Sequence, residues 1–295
     1  MKIGKIAFVT VLLMFTLVPG AYAQEGNLPA AHNLLMNVVY GENGGVKETM
    51  DIYLPADITA RHACIVLVHG GAWISGDKSF YSGFAQQLAH HGYVAASINY
   101  RMLPKWHYPA ELDDTQLAVR FLRAHATQYG IDPTRFGAVG DSAGGYLVAM
   151  LGLRGTRNKS LPLSNYSSRV QAVVDFYGPT DFTSLPADGG IAPGGLSLLS
   201  MFLNGDRVHS PQVYKSSSPM SYVSPTAAPF LIIHGSADEL IPVVQSIRLA
   251  KALTADRVSA TMLEVMAAPH GFLNGQHPGI FEAMAARFLD KHLAR

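Results

Sequence analysis

Ser142 stands in the stretch GDSAGG, residues 140–145, between two close glycines and just ahead of an apolar run. A serine hydroxyl is a weak nucleophile unless an imidazole takes its proton, a carboxylate orients that imidazole, and N–H donors receive the oxyanion. G-x-S-x-G between the apolar run RFGAVG and the helical pattern starting at Ser142 is the signature of a tight strand-to-helix turn that exposes the hydroxyl. An ordinary glycine turn has the same pentapeptide, so the other groups must be found. Asp238, in FLIIHGSADELIP, lies in a polar loop after a buried run. Glu239 competes with it, and a helix-capping role is the alternative for Asp238. His270, in LEVMAAPHGFLNG, follows the last apolar run with Gly271 beside it. Asp238 follows Ser142 by 96 residues and His270 follows Asp238 by 32. HGGAW, residues 69–73, follows another apolar run and supplies flexible backbone amides. We assign the oxyanion donors to the N–H groups of Gly71, Ala72 and Ala143, with Gly70 giving the loop its freedom to turn. Together these groups could carry out acyl transfer through a covalent intermediate.

The remaining histidines read as bland. His69 is expected to be a structural hydrogen-bonder, His234 a core residue on a strand, and His90 and His91 neighbours of a helix end. No His/Cys/Asp cluster has metal-ligand spacing, so neither a metal nor a cofactor is called for.

These groups need a frame that brings three distant loops together. Apolar, β-branched runs at Asn37–Tyr40, Thr49–Leu54, Cys64–His69, Tyr93–Tyr100, Arg135–Gly140, Ala172–Gly178, Phe230–Gly235 and Ser259–Val265 read as eight strands. The first two alternate like an exposed antiparallel hairpin joined through GENGG; the others suit strands covered on both faces. Helical patterns occupy Phe80–His90, Ala110–Gln128, Ser142–Leu153, Val243–Leu253 and Ile280–Leu293. Strands alternating with helical crossovers predict an α/β fold, a doubly wound, mostly parallel eight-stranded sheet with helices on both faces. Residues 183–229, rich in Gly, Ser and Pro but holding LSLLSMFL, form an insertion expected to act as a lid or a binding element.

Lys2 and Lys5, the apolar run Ile6–Val18 and the small-residue site Ala21–Ala23 predict a secretory signal cleaved after Ala23, giving a secreted or periplasmic protein with no stable membrane anchor. Taking 23 residues from 295 leaves 272, one catalytic domain over residues 24–295; losing Lys2 and Lys5 takes the net charge from +1 to −1. Such neutrality argues against nucleic-acid binding and polybasic membrane contact. Cys64, the single cysteine, lies in an apolar run and cannot form an internal disulfide. Oligomeric state leaves no mark in the sequence.

HGGAW, GDSAGG and the Asp238 and His270 loops resemble the lipolytic esterase branch of the α/β-hydrolases, related to hormone-sensitive lipase. INYRMLP and YPAELDD, between the first two motifs, are similar to the same branch, and the resemblance runs from Asp51 to Leu293. It implies the α/β-hydrolase fold, the chain order Ser142, Asp238, His270, and the choice of Asp238 over Glu239. Ala72 departs from the pattern, which usually has a third glycine there. HGG-x-W also resembles bacterial carbohydrate esterases, such as feruloyl and acetyl-xylan esterases, and kynurenine formamidases. The expectation is therefore a serine carboxylesterase acting on a small-molecule or polysaccharide-linked ester of short to medium chain. The alternatives are an arylformamidase, a serine peptidase of the same fold, or a non-catalytic binding protein on that scaffold. Trp73, Tyr100, Trp106 and Tyr177 flank the catalytic loops and are candidates for the substrate pocket, with core packing as the alternative.

Overall fold

The computed structural model describes residues 7–11, 33–155, 162–184, 190–191, 193–275 and 278–294. Its centre is one sheet of nine strands: β1 (Ala7–Val11), β2 (Leu34–Asn43), β3 (Val46–Tyr53), β4 (His62–Val68), β5 (Val94–Ile98), β6 (Ile131–Asp141), β7 (Ala172–Phe176), β8 (Phe230–Gly235) and β9 (Ala260–Val265). Their order across the sheet is β1-β9-β8-β7-β6-β4-β5-β3-β2. Every neighbouring pair from β1 to β5 is parallel; β3 runs antiparallel to both β5 and β2.

Eight of these strands are those expected. The ninth is built from residues 7–11, inside the segment read as a signal, which pair with Thr261–Val265 of β9. The outer strand of a parallel sheet carries unpaired N–H and C=O groups, and a short apolar segment can take them up. The cleavage site after Ala23 lies outside the described residues. The hairpin of β2 and β3 is exposed mainly along β2. Its partner β3 pairs on both sides, and Met50 and Ile52 are fully buried, because β5 would otherwise be the sheet edge.

Seven helices cover the sheet among the described residues: α1 (Ser82–His90), α2 (Ala110–Ala124), α3 (Ala143–Leu153), α4 (Pro193–Leu203), α5 (Pro211–Ser217), α6 (Val244–Ala255) and α7 (Pro278–Leu293). Alternating side chains of each strand feed two cores. Val66, Val68, Ala138 and Ile232 meet α2, α3 and α6 on one face, whereas Ile65, Leu67, Val139 and Ile233 meet α1 and α7 on the other. Every residue of α3 is buried, which explains its all-round apolar sequence. Cys64 is fully buried in β4. No helix among the described residues is long and apolar enough to cross a membrane. Because β4, β6, β8 and β9 are parallel, the loops that follow them leave the same edge, where a doubly wound sheet binds its ligands.

Candidate active site

The turn after β6 is held by sterics. Ser142 has φ 50° and ψ −117°, a strained conformation for a residue with a side chain, and its N–H donates to Phe176 O at 2.8 Å. A Cβ on Gly144 would run into the carbonyl oxygens of Val68 and His69, and one on Gly140 into Gly144. Only glycine lets α3 leave β6 so abruptly beside β4. The hydroxyl is left partly exposed, above the N-terminus of α3.

His270 Nε2 lies 2.9 Å from Ser142 Oγ, and His270 Nδ1 lies 2.7 Å from Asp238 Oδ2. The carboxylate can only accept, so Nδ1 carries the proton and Nε2 is free to accept the one from serine. Asp238 is fixed on its other oxygen too: Oδ1 accepts the N–H groups of Leu240 (3.0 Å) and Ile241 (2.7 Å). Burial raises its pKa, but the N–H bonds from His234 and His270, the charge of His270 and the Ile241 amide outweigh it. They hold the carboxyl well below the usual carboxylate range. The competitor Glu239 is exposed to solvent. Tyr177 packs edge-on against the His270 ring, centroids 5.0 Å apart, and Gly271 turns the chain beside it with φ 75°.

The loop after β4 is wound by three successive residues in the left-handed region: Gly71 (φ 110°), Ala72 (57°) and Trp73 (59°). Gly71 O closes the turn by accepting the N–H groups of Ile74 (3.0 Å) and Ser75 (3.1 Å). The N–H groups of Gly71, Ala72 and Ala143 have no protein acceptor among the described residues. The expectation for Gly70 needs correction: the turning freedom belongs to Gly71. Gly70 is glycine because Asp141 presses against it, and its N–H donates to Asp141 Oδ1 at 2.9 Å.

Asp141 lies outside the set of site residues expected from the sequence. Its Oδ1 also accepts the Tyr81 hydroxyl at 2.9 Å, so this carboxylate ties the serine turn to the β4 loop. Burial pushes its pKa up to about 6, against the two hydrogen bonds and the charge of His270. Its position directly before the serine was the available signal.

A small apolar cavity of about 30 Å³ opens beside Ser142, Ala143 and Ala72. Trp73 forms one wall and α4, through Gly195, Leu198 and Leu199, forms another. Trp73 stacks on Phe202 of α4, centroids 3.9 Å apart and planes 10° apart. Residues 183–229 therefore do reach the site; 185–189 and 192 lie outside the described residues. The other three pocket candidates lie elsewhere. Tyr100 is buried beneath the loop, stacked on His69 (4.5 Å) with its hydroxyl donating to His69 O. Trp106 packs over Gly44 in the β2–β3 turn and under Arg101 and Lys105. Tyr177 supports His270 from below rather than lining the cavity. Aromatics near catalytic loops serve the core as readily as the pocket, and spacing does not separate the two.

Among the described residues no group of His, Cys, Asp and Glu is arranged to hold a metal ion. The chemistry available is an alcohol made nucleophilic by an oriented imidazole, beside backbone N–H groups without a protein acceptor among the described residues and an apolar cleft. On a mostly parallel sheet with helices on both faces, such a serine turn defines the α/β-hydrolase fold.

The chain belongs to the BD-FAE family, whose model matches residues 50–253. It is 34% identical over 218 residues to the probable carboxylic ester hydrolase LipM of Mycobacterium tuberculosis, covering 71% of this chain and 49% of the relative. It thus spans about half the length of that curated relative. A truncated carbohydrate esterase from gut microbiota superposes with a TM-score of 0.77 at 26% identity, covering 89% of this chain and 97% of the other. The esterase Est2 of Thermogutta terrifontis in its propionate-bound form gives 0.75 at 25% identity, with 88% and 95% covered. The same esterase phosphonylated by sarin gives 0.77 at 25% identity, with 93% and 100% covered.

Proposed function

We propose that the protein is a secreted serine carboxylesterase that hydrolyses short- to medium-chain or carbohydrate-linked esters through an acyl-enzyme. One observation carries the reading: the unbroken line from Ser142 Oγ to His270 Nε2 (2.9 Å) and from His270 Nδ1 to Asp238 Oδ2 (2.7 Å). In this mechanism Ser142 Oγ attacks the ester carbonyl while its proton passes to His270 Nε2. Asp238 keeps the imidazole in the tautomer that can accept and stabilises the cation that forms. The carbonyl oxygen becomes an oxyanion received by the N–H groups of Gly71, Ala72 and Ala143, each donor contributing about 3 kcal/mol to lowering the barrier. His270 returns the proton to the leaving alcohol, and the acyl group stays on Ser142. Water then attacks, giving its proton to His270, and the free acid departs as the serine regains its hydrogen.

A cavity of about 30 Å³ has room for about two waters or an acetyl group, so the smallest acyl groups fit it best. The apolar run with two lysines before it and Ala21–Ala23 after it supports export, and cleavage after Ala23 would remove β1 and leave the other eight strands as the sheet. The test is labelling by a fluorophosphonate probe, expected in the wild type and lost in Ser142→Ala. A panel of p-nitrophenyl acetate, acetylated xylan, methyl ferulate and an aminoacyl anilide reads the leaving group and acyl preference. Turnover of the anilide without the esters would overturn the proposal in favour of a peptidase.

A further inference from the structure

His234 is read from sequence as a core residue, and it is fully buried at the end of β8. Its surroundings are polar all the same. Nε2 lies 3.1 Å from Asp238 Oδ2 and 2.8 Å from Ile241 O, both of which can only accept. That nitrogen must therefore carry a proton. Nδ1 lies 2.7 Å from Ser246 Oγ in α6, so in the neutral ring it accepts the serine hydroxyl, and Ser246 anchors the ring on its second nitrogen. Asp238 Oδ2 thus receives an imidazole N–H from each side, while Oδ1 receives two amides.

We infer that His234, held by Ser246, is a positioning residue that sets both the direction and the basicity of Asp238 toward His270. The inference rests on the esterase reading above. An oxygen that shares its electron pairs with a second donor stabilises the His270 cation less, and a carboxylate held at four points cannot swing out of line. The hydrogen bond from His234 is one of the influences that keep Asp238 ionised. An apolar side chain would fill the same space in a core, yet would leave Oδ2 with a single donor. Asp175 and the Tyr177 ring also face His234, and Asp141 and Tyr177 face His270. They are the same in every variant compared below, so differences among variants report His234 itself.

The variants are His234→Leu, which removes the donor, His234→Gln, which offers an amide N–H in its place, and Ser246→Ala, which takes away the ring's second anchor. Two readouts apply: NMR titration of the His270 ring, which needs no turnover, and the pH profile of kcat/KM with p-nitrophenyl acetate. In His234→Leu the His270 midpoint and the acid limb of the profile are expected to move to higher pH. Its kcat should fall roughly ten- to hundredfold, the usual scale for a misplaced catalytic group, with KM little changed. Ser246→Ala should shift in the same direction by less, and His234→Gln should lie near wild type. An unchanged His270 midpoint in Ser246→Ala and His234→Leu overturns the inference, and if His234→Leu does not fold the Ser246→Ala result alone decides. Equal losses of kcat in the Leu and Gln variants without movement of the midpoint also overturn it, assigning His234 to packing. Moved midpoints in a protein that turns over no ester would leave the positioning role standing and remove the esterase reading instead.

Discussion

Glu111 lies in the first turn of α2 with no solvent exposure, and its carboxyl oxygens have no hydrogen-bond partner among the described residues beyond its own amide. Burial, joined by the charges of Asp114 and Asp113, pushes its pKa up to about 8; its own amide and Arg101 pull the other way. Arg101 is already engaged by Asp114, with Nη2 2.7 Å from Oδ1 and Nε 2.8 Å from Oδ2. Burial thus favours the neutral form of Glu111 in the folded protein at pH 7. An acid whose pKa is raised on folding holds a proton that the unfolded chain releases, so its contribution to stability falls as pH rises between the two values. The window runs from about 4.5 to about 8, and across it the loss is about 4–5 kcal/mol at 1.36 kcal/mol per pH unit. For a chain of this size that corresponds to a fall in Tm on the order of 10 °C. Glu111→Gln keeps the shape and removes the titration. Its amide carries a constant cost for unpaired N–H groups, so the pH dependence of the difference is what matters. Urea unfolding at pH 5, 6.5, 8 and 9 should show the variant gaining on the wild type up to pH 8 and holding level above it. Parallel stability curves for the two proteins over this range would refute the assignment of a buried, protonated Glu111.

Asp141→Ala removes the acceptor shared by Gly70 N–H and Tyr81 OH, and kcat for p-nitrophenyl acetate should drop about a hundredfold while KM stays near its wild-type value, as for a lost oxyanion donor. Gly144→Ala should cost about 3 kcal/mol or more, since its Cβ would meet the backbone of Val68 rather than a side chain that can move, and thermal melting checks this. Leu199→Ala enlarges the cavity beside Ser142, and the ratio of kcat/KM for p-nitrophenyl hexanoate to that for the acetate should rise about tenfold or more. The same variant should lose about 2–5 kcal/mol of stability, readable in the same preparations.

Much of the fold could be read from the chain because strands buried on both faces leave unbroken apolar runs, such as ACIVLV and FLIIHG, bounded by glycine and polar turns. The meeting of Ser142, Asp238 and His270 at one edge follows from their each ending a parallel strand, which order and spacing reveal. What leaves no trace in the chain is whatever depends on contacts between segments without a local pattern. His234 sits among isoleucines and a glycine, so only the i,i+4 step to Asp238 hinted at its partner. Nothing near Tyr81 points to Asp141, 60 residues away. The four pocket aromatics all lie near the loops in sequence, yet only Trp73 reaches the cavity, because the fold sends Tyr100 inward and Trp106 to the β2–β3 hairpin. Strand β1 was hidden because its apolar residues match a leader and an edge strand equally well.

Cys64 lies in the middle of β4, fully buried, with burial holding its thiol far above the ordinary range. The folded chain therefore offers no thiolate to an oxidant or to a second molecule. Its one vulnerable interval is the time between emergence of the chain and docking of β4 between β5 and β6. In any oxidising surrounding this would make folding a race against sulfur chemistry, and once the sheet has closed, thiol traps in the medium have nothing to act upon.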